Sequence, residues 1–210
     1  VFAAFSAARA RRHEERAALA RSQEREDLDH LLAWADQVRQ GTVVDSSGFI
    51  TKPNEVLVLS LPRASLVEER SLGGHFASGS QGFSIPVGSI AGRSVRYRVG
   101  RTKGHYVKGT PTPTAIDHGT LVITSARIVF LGTHQERDCP LEHLNAAHCD
   151  HDGRLALSVA GRQHAIEIYV GAGAGGLVSF CVDLALARHR DEEESFLATV
   201  RARRNALVAQ

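Results

Sequence analysis

Apolar residues change their spacing twice along this chain. Before residue 41 they sit three and four positions apart, between residues 55 and 170 they form short runs or alternations, and from Leu177 the helical spacing returns. The pattern predicts a helix, then a series of short strands, then helices. Residues 7–40 are rich in Ala, Arg, Glu and Leu, lack Pro and Gly, and stop at Gly41, which reads as one long helix. Leu28, Leu31, Leu32, Ala35 and Val38 give its second half an apolar stripe, whereas Leu19 is almost alone in the first half. Acid and base neighbours such as Arg11 with Glu15 and Arg21 with Glu24 support an exposed arm there.

Residues 42–54, with Ser46, Ser47, Gly48 and Pro53, read as a linker, and 55–61 (EVLVLSL) as the first strand, so a boundary falls near residue 50. Pro62 is placed to start a short helix over 62–70, with Ser65 as an alternative cap. Residues 82–87 and 94–99 alternate as half-buried strands do, Val95, Tyr97 and Val99 on one side and Arg96 and Arg98 on the other. The TPTPT run at 110–114 reads as a loop, because proline lacks a ladder donor. Residues 119–132, GTLVITSARIVFLG, read as a hairpin that turns at Thr124, Ser125 and Ala126 and sends Ile123, Ile128 and Phe130 into a core. Further strands are expected at 135–139, at 155–159 after an Asp152-Gly153 turn, and at 164–170.

The GAGAGG run at 171–176 connects the last strand to a helix, and its spacing matches neither dinucleotide- nor phosphate-binding loops. A helix over 177–188 places Leu177, Phe180, Cys181, Leu184 and Ala185 on one face. Asp191 and Glu194 have capping-box spacing for a second helix to about residue 207, with Arg201, Arg203 and Arg204 at its negative end.

Strands first and helices last indicate an α+β domain on an antiparallel sheet. The hairpin, followed by PLEHL at 140–144, DGRLAL at 152–157 and GRQ at 161–163, resembles bacterial relatives of the pleckstrin-homology (PH) and GRAM domains. That resemblance implies a PH-like, curved, barrel-like sheet of about seven strands over 55–210, closed by C-terminal helices and preceded by the helical arm of 1–41. It also implies a binding or scaffolding module without catalysis or cofactor, since relatives of this kind hold anionic lipids on basic residues of an early hairpin.

Charge sharpens this picture. The chain has 25 Lys and Arg against 23 Asp and Glu, too even for bulk nucleic-acid binding, and no nucleic acid is expected. Yet residues 71–116 contain no acid, while Arg93, Arg96, Arg98, Arg101, Lys103 and Lys108 all fall there, a candidate site for anionic lipid or phosphate. A protein partner, or a second copy through the N-terminal helix, would instead use Leu28, Leu31, Leu32 and Val38. Cys139, His143, His148, Cys149 and His151, flanked by Asp150 and Asp152, are metal-ligand types and form the metal-dependent alternative, though no CxxC or HxxxH occurs. No nucleophile elbow and no pair of carboxylates suited to acid and base work is present. Three cysteines without a framework point to a reducing, cytoplasmic setting. The apolar start VFAAF, followed by Arg9, Arg11 and Arg12, has the form of the inner flank of a membrane anchor in a longer protein.

Overall fold

The computed structural model describes residues 2–45, 47–71, 75–90, 93–107, 111–150 and 152–207, with the backbone alone for 2–10 and for those between 71 and 111. Helix α1, Phe2–Gln40, is uninterrupted over 39 residues. Its end shows why Gly41 stands there: φ is 67°, the Gly41 amide donates to Val38 and the Thr42 amide to Gln37, a closure that needs the left-handed region. Among the described residues nine strands follow: β1 Leu57–Ser71, β2 His75–Ile90, β3 Arg93–Val107, β4 Pro111–Thr124, β5 Arg127–Gly132, β6 Glu136–Pro140, β7 Leu144–Cys149, β8 Arg154–Val159 and β9 Ile166–Tyr169. Helices α2, Gly175–His189, and α3, Glu193–Ala206, complete the chain. The architecture is therefore α+β, a long helix, an antiparallel sheet and C-terminal helices.

Seven strands form one antiparallel sheet in the order β6-β5-β4-β1-β9-β8-β7, and β2 pairs with β3 in a separate two-stranded ribbon. Residues 1–67 with 115–210 make one compact unit and 68–114 a second. In the large sheet β6 and β7 are the outermost strands, yet only Leu141–His143, a 3-10 turn, separates them in the chain. A flat sheet of this size would hold its outer strands about 29 Å apart at about 4.8 Å per strand, beyond the reach of so short a link at about 3.5 Å per residue. The sheet must curl. It does not close into a barrel, because β6 and β7 do not pair with each other.

The core lies on the concave interior of secondary structure that the apolar runs supply. Leu121, Ile123, Ile128 and Phe130 from the hairpin, Leu59, Ala64 and Leu66 from β1, Leu155, Leu157, Ile166 and Ile168 from β8 and β9, and Val178, Cys181 and Leu184 from α2 form one cluster. Ala35 and Val38 of α1 and Leu197 of α3 join it. Trp34 donates its indole N–H to the Val58 carbonyl at 3.0 Å, and Phe180 packs on Phe196 with centroids 5.5 Å apart. Because α1 and α3 lie over α2, its buried residues surround more than the single face expected, Val178, Val182 and Ala187 included.

Three local expectations are overturned. Residues 62–70 are strand, not helix: Ala64 and Leu66 are buried between partly exposed Ser65 and Val67, and 65–67 pair with 167–169 of β9. Period-two burial overrides the helix-starting proline, and Arg63 at φ 65° absorbs the bend. Residues 111–114 of the TPTPT segment belong to β4, and Thr110 lies outside the described residues. Prolines two apart in a strand withdraw donors from one edge only, so Thr112 and Thr114 keep theirs for the other. Asp191 caps nothing with its side chain, and Glu192 holds the N-cap position of α3. Asp191 instead sits at φ 58° and closes α2, its amide donating to Arg188 and that of Glu192 to Ala187, the same closure that Gly41 makes for α1.

Candidate functional site

The hairpin β4-β5 sets Gly119 opposite Gly132, Leu121 opposite Phe130 and Ile123 opposite Ile128, with Thr124 ending β4 so that only Ser125 and Ala126 make the turn, not the three residues expected. Its turn is held by the Thr124 hydroxyl, which accepts from the Arg127 amide at 3.0 Å and the Ala126 amide at 3.2 Å and donates to Glu55 Oε1 at 2.6 Å. Ser125 bonds elsewhere: its Oγ accepts from the Val56 amide at 3.0 Å, fastening the turn to the segment before β1.

Arg127 is held by two carboxylates. Its Nε donates to Glu55 Oε1 at 2.9 Å and its NH1 to Asp138 Oδ2 at 2.9 Å, while its guanidinium carbon lies 4.8 Å from the centre of the Phe49 ring. Burial opposes ionisation of Glu55, whose side chain is 1% exposed, but bonds from Arg127, the Lys52 amide and Thr124 outweigh it and hold the carboxyl at about 2. The bonds to Glu55 and then to Asp138 raise Arg127 above its ordinary value. Two carboxylates neutralise this cation, so it is framework and has no charge left for an anion. None of Phe49, Glu55 and Asp138 was singled out beside Arg127 by sequence, because Glu55 lies 72 residues away.

The loop before β1 is equally fixed. Asp45 accepts from the Ser47 and Phe49 amides and from the hydroxyls of Ser47 and Ser60. Burial works against its charge, yet these bonds keep its carboxyl below the usual range. Val44 and Ile50 nonetheless remain 81% and 84% exposed.

Ribbon β2-β3 carries the candidate anion site. Arg93, Arg96, Arg98, Arg101 and Lys103 all lie in β3, and Lys108 lies outside the described residues. Their cross-strand partners are Ile90, Pro86, Ser84, Gln81 and Gly79 in turn. Each cation thus stands opposite an uncharged residue, in a ribbon holding five of the chain's 25 Lys and Arg and none of its 23 Asp and Glu. Arg96 and Arg98 occupy strand positions of one parity and Arg93, Arg101 and Lys103 the other.

The other candidates are placed differently. Val38 is buried and Leu31 and Leu32 pack on the core, with Leu28 half-buried, so the stripe of α1 is occupied within the chain. Cys139 is buried in β6 opposite Ile128, whereas His148 and Cys149 lie in β7 opposite Ala156 and Leu155. His143 is in the turn between them and His151 is outside the described residues. Among the described residues no three His, Cys, Asp or Glu are grouped to hold a metal. Burial pushes the thiol of Cys139 up to about 11 and that of Cys181 up to about 12, keeping both protonated and poor as nucleophiles. A groove of about 330 Å³ between α2 and α3 is lined by Asp183, Leu186, Arg190, Glu192 and Phe196 among others, without histidine or cysteine.

No protein-family model, curated protein or solved structure matches this chain. Among the described residues no helix is long and apolar enough to cross a membrane.

Proposed function

We propose that this chain is a non-catalytic binding module that docks on an anionic membrane surface through ribbon β2-β3. The observation that carries this reading is the register of β3, in which the five described cations have uncharged residues as their cross-strand partners. Arg127 shows what this protein does with a cation it uses for folding: it surrounds it with carboxylates. The ribbon offers its cations no acid of its own, and each cation near an anionic surface contributes about 1 kcal/mol. The resemblance to PH- and GRAM-like domains points the same way.

The test is sedimentation with vesicles of neutral lipid, with and without anionic lipid. Binding is expected only to the anionic vesicles, to weaken as salt rises, and to fall at least about tenfold when Arg96 and Arg98 are both changed to Glu, a change worth more than about 1.4 kcal/mol. Undiminished binding by that variant would remove the ribbon as the site. A protein partner is the second reading, favoured by the exposed aliphatic side chains of Val44 and Ile50 on a loop that Asp45 holds in place. Replacing both by Ser would then weaken the partner and leave vesicle binding unchanged.

A further inference from the structure

Directly opposite residues of an antiparallel pair stand on one face of it, and neighbours along a strand alternate between faces. The register of β2 and β3 therefore sorts the ribbon into two unlike faces. One carries Val95 opposite Gly88, Tyr97 opposite Ile85 and Val99 opposite Phe83, three successive rows of aliphatic, aromatic and glycine residues. The other carries Arg96 opposite Pro86 and Arg98 opposite Ser84. The register shifts once, between Pro86 and Gly88, which adds a residue to β2 and leaves the alternation of β3, Arg93–Val107, unbroken.

The apolar rows are bracketed on their own face. Arg93 stands beyond Val95 and Arg101 beyond Val99, about 26 Å apart at about 3.3 Å per residue. A two-stranded hairpin is marginal in water by itself, and among the described residues β2 and β3 pair with no third strand, so an apolar face here gains from burial in a partner. The cations select that partner. A dry protein surface closing over the rows would have to desolvate Arg93 and Arg101 or supply acids for them. The interface of an anionic bilayer requires neither, because acyl chains take the apolar rows while long cationic side chains reach the headgroups from the border.

We propose that ribbon β2-β3 lies within the interface of an anionic bilayer, the face of Val95, Tyr97 and Val99 turned to the acyl chains and Arg96 and Arg98 on the opposite face set in the headgroup layer. That layer is about 5–8 Å deep, enough to surround the second face of a ribbon whose first face meets the acyl boundary. The inference rests on membrane docking as the function and adds that the ribbon enters the bilayer instead of touching its surface. Binding then has two parts, a charge part that salt weakens and an apolar part that salt does not screen.

Tryptophan placed on each face tests this. Trp34 is the only tryptophan of the chain, so the unaltered protein supplies the background for Tyr97→Trp on the apolar face and Ser84→Trp on the other. With anionic vesicles whose lipids are brominated along the acyl chains, the emission added by Tyr97→Trp should be quenched and that added by Ser84→Trp should not. Val95→Ser with Val99→Ser should also weaken vesicle binding at least about tenfold, and the tryptophan pair keeps the test decisive if this double variant fails to fold. Bound protein in which neither added tryptophan is quenched, or both are quenched equally, would overturn insertion and leave surface docking standing. Failure of the unaltered protein to bind anionic vesicles would overturn both.

Discussion

Hairpin β4-β5 and ribbon β2-β3 are both antiparallel two-stranded units with arginine in one strand, and they use that charge in opposite ways. In the hairpin, Arg127 is 12% exposed and shared between Glu55 and Asp138. In the ribbon, five cations stand opposite Ile90, Pro86, Ser84, Gln81 and Gly79. A buried guanidinium must be compensated, because leaving one charge of such a pair behind costs several kcal/mol. A cation opposite an uncharged residue has no cross-strand acid to compensate it in that ribbon. The contrast separates an arginine compensated by carboxylates across the sheet from arginines that stand opposite uncharged residues.

The strongest way to break the comparison is Arg127→Ala. It strands Glu55 in a buried setting and should lower unfolding free energy by about 3–5 kcal/mol, read by chemical denaturation. Arg96→Glu with Arg98→Glu should shift the same curve by no more than about 0.5 kcal/mol. A mild loss in the first variant, or a large one in the second, would reverse the assignment of roles.

Acid is the next probe. Glu55 falls from its usual 4.5 to about 2 in the folded protein. A carboxyl depressed by folding stabilises above its unfolded value, and that contribution is lost as pH falls from about 4.5 through about 2. The loss is about 3 kcal/mol at about 1.4 kcal/mol per pH unit. Asp45 and Asp117 are also lowered and act in the same direction. Glu55→Gln should flatten this part of a stability profile measured by denaturation at successive pH values.

Smaller in size, Gly119→Ala tests how closely the hairpin strands approach. An added Cβ would overlap the Leu131 carbonyl oxygen and crowd Gly132, and a shift of that backbone should cost about 1–3 kcal/mol without changing vesicle binding. The smallest effect is expected at Glu24, which pairs with Arg203 at 2.9 Å across α1 and α3. The pair is solvent-exposed, so Glu24→Gln should change the melting free energy by less than about 1 kcal/mol.

Legibility in the sequence followed the range of the forces involved. The hairpin at 119–132 was readable as two strands and a turn, since alternation and two bordering glycines are local signals, but its register was not, because Thr124 ends β4 and leaves a two-residue turn. The end of α1 at Gly41 was readable from a local signal too. Pro62 and the prolines of 110–114 misled, because a proline is compatible with a strand edge and only the neighbouring strands show which edge is open. Asp191 and Glu194 misled because Asp191 is used as the left-handed residue that closes α2, which leaves Glu192 at the N-cap of α3. Glu24, paired on paper with Arg21, reaches Arg203, 179 residues away.

By itself, then, the sequence determined the succession of helix, strands and helices, the apolar residues that fill the core, and the acid-free run that holds the ribbon's cations. Those follow from periodicity and composition, which act over a few residues. Tertiary structure alone decided that β6 and β7 are outer strands of a curled, open sheet, that Arg127 is neutralised by Glu55 and Asp138, and that the stripe of α1 is used within its own core. These are contacts between segments far apart in the chain, and no local pattern encodes which of several matching surfaces will meet.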